Sequence, residues 1–270
     1  MLFFYLHNQI IMTTDNFYLI LPSNSSMGSF PNNKISHYTT ALKQPLELDG
    51  DWEVALVSIE HPSRWENISS DYCRFSAKTE SGKWREGGVP PGFYSSNEDF
   101  VKALNDALYS MHNDAGMGQQ PVQYNKYNEK AYMKLHPHFT VRLHDGIAQV
   151  LGYGEATTIN GPDWAKPEYG VDVNHGVHSL YVYCDLVEDQ IVGDSTVKVI
   201  RTIPLKHKPG VVAPLATHFH TDNPHYVPVS KRNTQTVEIH IRDDTGHDIP
   251  FIAGKVIVKL HFRLKRPHFV

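Results

Sequence analysis

Polar and apolar residues alternate along much of the chain with a period of two, which is typical of β-strands that bury one face. In residues 236–243 the apolar positions are Val237, Ile239 and Ile241, and each is followed by a polar residue. The same alternation runs through residues 255–264. The segment between them is rich in turn residues. The pattern therefore predicts two antiparallel neighbouring strands at the C-terminal end.

Seven further segments carry strand signals, with apolar and β-branched residues bounded by turns. They are residues 17–21, 37–43, 52–61, 72–78, 139–144, 179–187 and 196–204. Residues 52–61 are apolar on both faces, which predicts a central strand that is packed on each side.

One segment has clear helical spacing. Ser95 and Glu98 fit a capping box, in which a hydroxyl and an acid three residues later satisfy free backbone N–H groups. Apolar side chains then recur at the spacing of a helix face, at Phe100, Val101, Leu104, Leu108 and Met111.

The remaining long stretches predict little regular structure. A short helical turn is predicted at residues 145–151, ended by Gly152. Residues 113–132 and 152–176 are polar or rich in glycine and proline, which favours exposed loops.

Many strands with one substantial helix favour a mainly β fold, and a jelly-roll β-sandwich is the version that capsid shells and lectins share. We expect residues 16–270 to form a single jelly-roll domain with a helix-bearing insertion at about 85–130. A second small domain at that insertion is the alternative. Residues 1–15 are expected to be an N-terminal arm, and Met12 is an alternative start that would leave residues 1–11 upstream.

Composition and charge argue against several classes of protein. The chain has 270 residues, 40% of them hydrophobic, with 25 Lys and Arg against 29 Asp and Glu, a net charge of −4. Such a chain can bury a large core, and its slight acidity argues against direct nucleic-acid binding. No stretch approaches the roughly 20 apolar residues of a membrane span, so no membrane association is expected.

Cys73 and Cys184 are interpreted as buried thiols in a reducing compartment, with a single bridge as the alternative.

Histidine spacing suggests a metal site. His218 and His220 stand two residues apart, with His225 nearby, and would point to one face of a strand. A cupin-type metal enzyme uses such a pair, but the carboxylate and the second histidine motif of that signature are missing. Polar loop residues are the favoured interpretation.

Other candidate chemistry is weaker. No Gly-x-Ser-x-Gly nucleophile elbow is present, so no catalytic residues are assigned. The carboxylates from Asp243 to Asp248 favour a solvated turn over a calcium loop. Aromatic residues in the predicted loops could stack sugars or anchor a protein contact; they are Tyr124, Tyr127, Trp164 and Tyr169.

Several collinear blocks resemble a known family. They are FYLILPSNSSM at 17–27, WEVAL at 52–56, SLYVYCDLV at 179–187 running on to 194, HYVPV at 225–229, and the closing stretches 237–246 and 250–263. Together they resemble the penton (minor capsid) protein of Polinton, or Maverick, elements, which are related to virophages and adenovirus-like viruses. The resemblance covers most of residues 16–264.

This resemblance implies a structural protein and no enzyme. A penton protein forms homopentamers at the five-fold vertices of an icosahedral capsid whose major capsid protein has a double jelly roll. The expected location is the virion capsid, assembled inside the host cell, in the cytoplasm or the nucleus. The resemblance implies no catalytic residue and no cofactor, and no feature selects a host receptor.

Two charged strand faces are the candidates for subunit or shell contacts, and a plain solvated face is the equal alternative for each. The first comprises Glu238, His240 and Arg242, and the second comprises Lys255, Lys259 and Arg263. Two other functions remain open: a jelly-roll carbohydrate-binding module, and a cupin-like metal enzyme that uses His218 and His220.

Overall fold

The computed structural model describes residues 15–78, 82–112, 120–174, 177–205 and 215–265. They fall into two compact units. Unit 1 comprises residues 15–63, 179–205 and 215–265, and unit 2 comprises the described residues from Arg64 to His178. Unit 2 is therefore inserted in the sequence of unit 1.

Strands make up most of the regular structure. In chain order they are β1 (Asn16–Pro22), β2 (His37–Glu47), β3 (Trp52–Pro62), β4 (Arg74–Lys78), β5 (Trp84–Gly88), β6 (Val122–Asn125), β7 (Lys130–Lys134), β8 (Thr140–Leu143), β9 (Thr157–Asn160), β10 (Trp164–Ala165), β11 (Ser179–Cys184), β12 (Gln190–Val192), β13 (Ser195–Val197), β14 (Val199–Pro204), β15 (Ala216–His220), β16 (Val227–Pro228), β17 (Asn233–Arg242) and β18 (Ile257–Leu264). The helices are α1 (Asn97–His112) and α2 (Asp145–Val150). Neither helix in the described part of the chain has the length and apolar content needed to cross a membrane.

Unit 1 contains two larger antiparallel sheets. Sheet 1 has the order β1-β18-β3-β15, with β16 also paired to β3, and sheet 2 has the order β14-β11-β17-β2. The central position of β3 confirms the prediction from its two apolar faces.

Both sheets turn one apolar face towards the core of unit 1. In sheet 1 the side chains of Leu56 and Phe262 are fully buried, and in sheet 2 those of Val182 and Ile239 are fully buried. Removing such a side chain from water stabilises the fold by about 1.5–3 kcal/mol. The predicted class, a mainly β jelly-roll sandwich with a helix-containing insertion, is confirmed.

The predicted pairing of the two C-terminal strands is wrong. Strand β17 pairs with β11 and β2 in sheet 2, whereas β18 pairs with β1 and β3 in sheet 1. Residues 243–256 therefore lead from one sheet of the sandwich to the other. Alternation identifies a strand and its buried face, but it does not identify the strand beside it.

Unit 2 has a core of its own. Sheet 3 has the order β5-β4-β8-β9 and sheet 4 the order β10-β7-β6. The apolar face of α1 contributes Phe100, Leu104 and Leu108 to a buried cluster that also contains Phe75 and Val141 from sheet 3.

The N-terminal cap of α1 is one residue later than predicted. The helix begins at Asn97, and the Ser96 hydroxyl accepts a hydrogen bond from the backbone N–H of Asp99 at 3.1 Å. The Ser95 hydroxyl instead donates to the Asp99 carboxylate at 2.5 Å. The capping pair is thus Ser96 and Asp99. Two adjacent serines followed by two adjacent acids fit the same motif in either register.

The predicted loops contain short strands. Strands β6 and β7 lie within or at the end of 113–132, and β9 and β10 lie within 152–176. These strands have only two to five residues each, so neither stretch shows a long alternating pattern. Helix α2 confirms the helical turn at 145–151, and Gly152 follows it with a φ of +83°.

Unit 2 is wider than the insertion predicted at 85–130, because strands β4, β8 and β9 pack in its core rather than in the sandwich. The grouping of residues 16–270 into a single domain stays a prediction. The predicted N-terminal arm, residues 1–15, lies outside the described residues except for Asp15.

Cys73 and Cys184 are free and buried, which confirms their interpretation as thiols.

Candidate assembly surfaces

The outward face of sheet 2 carries a cluster of histidines and acids, here called the histidine face: His37, Glu238, His240, Arg242 and Asp248. Strand register places these side chains together. His240 on β17 lies opposite His37 on β2 and opposite Tyr183 on β11. Side chains that are directly opposite on neighbouring strands lie on one side of the sheet and touch.

The polar groups of this face are bonded to one another. The rings of His37 and His240 stack with centroids 3.9 Å apart. The Nε2 atom of His37 lies 2.5 Å from Oε1 of Glu238, and Nε2 of His240 contacts Oδ1 of Asp248. The guanidinium of Arg242 lies 5.4 Å above the Tyr183 ring, with its Nε 3.1 Å from Nδ1 of His240.

The protonation states follow from these surroundings. Burial lowers the pKa of His240, and the neighbouring charges of His37 and Arg242 lower it further against the opposing hydrogen bond to Asp248. Burial acts to raise the pKa of Asp248, but its hydrogen bond with His240 and the nearby positive charges bring it below its usual value. At neutral pH, His240 is therefore uncharged and donates from Nε2 to the ionised Asp248.

His37, His240 and Asp248 are also a set of potential metal ligands. Their ligand atoms lie within 4.8 Å of one another, and no other such group of three was found among the residues that the structure describes. Two imidazoles and a carboxylate are donors that Zn²⁺ accepts. However, each donor already has a hydrogen-bond partner, and the fixed positive charge of Arg242 beside His240 opposes a second cation. The geometry therefore describes a hydrogen-bond network that holds these side chains in place.

Sequence reasoning named Glu238, His240 and Arg242 but missed His37 and Asp248. The first three alternate along one strand, whereas His37 comes from a distant strand and Asp248 from the following turn. That turn itself was predicted: Oδ1 of Asp243 accepts hydrogen bonds from the backbone N–H groups of Thr245 and His247, both at 2.9 Å.

The histidine pair considered as a metal candidate lies elsewhere in unit 1. His218 and His220 are exposed on strand β15, with nearly parallel rings whose centroids are 6.3 Å apart. Nε2 of His220 is 3.4 Å from Oδ1 of Asp222. Within the described ranges the two histidines belong to no group of three potential ligands. The favoured interpretation of the pair as loop residues is wrong, because both lie on strand β15. No metal was assigned to them, and their role as metal ligands is untested.

The outward face of sheet 1 carries cations laid over aromatic rings, and the exposed Lys255 lies just before its strand β18. These residues are here called the basic face: Tyr18, Tyr226, Lys255, Lys259, His261 and Arg263. Nζ of Lys259 lies 4.4 Å from the centre of the Tyr18 ring, and Cζ of Arg263 lies 3.5 Å from that of Tyr226. The Tyr18 ring also stacks on His261 at 4.5 Å. Cation–π pairs of this kind hold long side chains in place.

The basic face is open to solvent and carries one internal ion pair. Tyr18 is 56% exposed, and Ile20 beside it on β1 is 57% exposed. Nε of Arg263 bonds to Oε1 of Glu53 at 2.9 Å. The third predicted residue, Lys255, is exposed just before β18. Partial burial together with the charges of Arg263 and Lys259 lowers the pKa of His261, so its ring is neutral at pH 7.

Three of the four aromatic residues singled out in the sequence meet in unit 2. Tyr124, Tyr127 and Trp164 line one open groove of about 720 Å³, together with Tyr132. Tyr169 is exposed but does not line it.

Comparison with known proteins gives a structural match at the level of the fold. No family model and no curated protein sequence matches the chain. The crystal structure of the selenomethionine-labelled mavirus penton protein superposes with a TM-score of 0.52 and 14% sequence identity. The match covers 93% of this chain and 99% of the mavirus protein. This chain has a penton-like fold.

The penton-like fold extends over both units, since 93% of the chain is covered. At 14% identity the match describes backbone arrangement and assigns no role to any side chain. The histidine face and the basic face are therefore defined by the contacts of this chain alone.

Proposed function

We propose that this chain is a structural capsid protein of the penton type, which forms homopentamers at the five-fold vertices of an icosahedral shell. The proposal includes docking to a double jelly-roll major capsid protein and a place in the virion of a Polinton or Maverick element, assembled inside the host cell. The observation that carries it is the penton-like fold, matched over nearly the full length of both chains. The collinear sequence blocks support the narrower assignment.

The two outward faces of unit 1 support self-assembly on physical grounds. A closed ring of five needs a heterologous interface, in which one surface of a subunit fits a different surface of its neighbour. The basic face offers Lys255, Lys259 and Arg263, while the histidine face offers the carboxylates of Glu238 and Asp248. Surfaces of opposite character on one subunit favour such a contact and disfavour like-to-like pairing.

The assignment of these residues to an interface belongs to the proposal. An obligate ring contact would bury roughly 2,000 Å² or more, so each face would be one part of a larger surface. The exposed Tyr18 and Ile20 fit the apolar part of such a contact, because exposed aromatic residues commonly anchor interfaces.

The solution mass of the purified chain separates this function from its two alternatives. Light scattering should give about five times the 30.7 kDa of one chain for the chain alone. If assembly needs the major capsid protein, the complex of the two should contain this chain as a pentamer. A carbohydrate-binding module without a vertex role would remain a single chain under both conditions, and glycan binding by itself does not decide between the two functions. A single chain under both conditions would remove the vertex role.

The cupin-like alternative has its own test. Metal analysis of protein purified without chelator would show stoichiometric Fe, Mn or Zn in that case, lost on substitution of His218 and His220. The structural role predicts no stoichiometric metal that depends on these two histidines. Metal that is lost when His218 is substituted would contradict the structural role.

A further inference from the structure

The aromatic groove of unit 2 has the shape and lining of a small ligand site. It lies on the outward side of sheet 4, where Gln123 and Tyr132 are cross-strand partners and Trp164 pairs with Lys134. Its volume of about 720 Å³ lies in the range of ligand pockets, about 300–1,000 Å³. It is thus wide enough for a molecule of several rings.

Two of the aromatic side chains that line the groove are exposed to solvent, whereas Tyr124 packs against the core of unit 2. The side chain of Tyr127, at the turn between β6 and β7, is fully exposed, and Trp164 is 41% exposed. Exposed aromatic rings that meet in one concave surface are unusual for a surface with no partner.

The rings of Tyr132 and Trp164 and the backbone of Tyr127 are held in place before any ligand arrives. The hydroxyl of Tyr132 accepts a hydrogen bond from Asn128 at 2.9 Å, and Nζ of Lys134 lies 5.6 Å from the centre of the Trp164 ring. The backbone N–H of Tyr127 donates to Oδ1 of Asn125 at 2.9 Å, which fixes the turn. Preorganised side chains lose less conformational entropy on binding.

The polar lining indicates the ligand. Two amides, Gln123 and Asn125, and two lysines, Lys126 and Lys166, face the groove, and no carboxylate of the described residues lines it. Amides and ammonium groups donate to hydroxyl and acidic oxygens, while aromatic faces stack on flat apolar surfaces. We propose that this groove binds an acidic oligosaccharide, whose sugar rings stack on Tyr127 and Trp164 and whose acidic group is bound by Lys166.

A protein partner fits this lining less well. Interface cores are enriched in aromatic residues, Met and Arg and depleted of Lys. The groove has the aromatic residues, but it also has two lysines and, among the described residues, neither Met nor Arg. A single nucleic-acid strand also stacks on aromatic residues, but it needs a basic channel along its backbone. One of the two lysines, Lys126, is already paired with Glu98 at 2.9 Å.

Titration of the full chain with defined saccharides tests the proposal. We expect 3′-sialyllactose or a heparin-derived tetrasaccharide to bind at least about tenfold more tightly than neutral lactose. Tyr127→Ala should weaken this binding about tenfold without changing the melting temperature, because the side chain buries no surface in the fold. Tyr109→Ala is the matched control, since Tyr109 is 61% exposed on α1 and does not line the groove.

Four results would overturn the proposal. They are no binding of either acidic saccharide at millimolar concentration, equal binding of lactose, binding that survives Tyr127→Ala unchanged, and full displacement by a short oligothymidylate, which would indicate a nucleic-acid platform. None of them depends on whether the chain forms pentamers, so this test and that of the vertex role fail separately.

Discussion

Tyr38 shows how one residue links the two sheets of unit 1. Its side chain is 1% exposed, and its hydroxyl in sheet 2 donates a 2.9 Å hydrogen bond to the backbone carbonyl of Leu21 in sheet 1. Two positions along the same strand, the buried hydroxyl of Thr40 has no hydrogen-bond partner among the described residues. A buried hydroxyl group therefore stabilises the fold at Tyr38, where it is hydrogen-bonded, and destabilises it at Thr40, where it has no partner in the described part of the chain.

Tyr38→Phe is expected to lower the free energy of unfolding by about 1–3 kcal/mol, because the Leu21 carbonyl loses its buried donor. Thr40→Val, the matched control, should be neutral or stabilising, since it removes an unsatisfied hydroxyl at nearly constant volume. Urea unfolding of the two variants checks this. A Thr40→Val variant that is destabilised as much as Tyr38→Phe would contradict the account.

His61 makes the stability of the chain depend on pH. It is 2% exposed on β3, with Nδ1 2.8 Å from the carbonyl oxygen of Pro62, and burial lowers its pKa below the ordinary 6.5. The unfolded chain therefore binds a proton more readily than the folded one. The stability that a neutral His61 gives is complete above pH 6.5 and decreases as the pH falls towards the folded-state pKa.

Lowering the pH from about 7.5 to about 5.5 should therefore decrease the free energy of unfolding less in His61→Gln than in the native chain. The difference should be up to about 1.4 kcal/mol per pH unit. The exposed His218→Gln is the control and should follow the native profile. Parallel profiles for the native chain and His61→Gln would show that His61 is not responsible.

For the candidate site, the contacts between single residues were the hardest feature to predict. Glu238, His240 and Arg242 could be named because they alternate along one strand, but the contact of His240 with His37 and Asp248 needs the folded sheet. The groove residues Tyr124, Tyr127 and Trp164 could be named individually. Their meeting could not be predicted, because the short strands that bring them together have no distinct sequence pattern.

Among the elements, the start of α1 gives the sharpest test. Ser96→Ala should cost about 1 kcal/mol, the usual value of a lost N-terminal cap, because the backbone N–H of Asp99 loses its acceptor. Ser95→Ala removes only an exposed hydroxyl bonded to a carboxylate and should cost less. Thermal unfolding of both variants would contradict the assignment if Ser95→Ala were the more damaging.

Most strands could be predicted from the sequence, while their partners could not. Every segment with a long period-two pattern forms a strand, because alternation records which face is buried. The 196–204 segment breaks at Lys198 into β13, which pairs with β12, and β14, which pairs with β11. Strands β17 and β18 have equally clear patterns yet join different sheets, since the choice of partner is made by the whole core.

For the whole molecule, the proposed ring contact predicts a charge effect. The double variant Lys255→Glu with Lys259→Glu reverses two charges of the basic face, so a neighbour's Glu238 and Asp248 would be repelled. We expect the pentamer or its docking to the shell to weaken at least about tenfold. The measurement is the solution mass as a function of concentration.

The control for this prediction is Lys83→Glu with Lys102→Glu, which makes the same charge change at exposed positions of unit 2. The control should assemble like the native chain. Equal loss of assembly in both variants would indicate a general charge effect and remove the basic face from the interface.

The central claim is that the chain occupies the five-fold vertices of an icosahedral particle. Its most direct test is electron cryo-microscopy of shells formed when the chain is expressed together with the major capsid protein of the same element. The account predicts density for five copies of this chain around each five-fold axis, with unit 1 fitting as a jelly-roll sandwich. Shells whose vertices are occupied by another protein, with this chain absent or bound elsewhere, would contradict it.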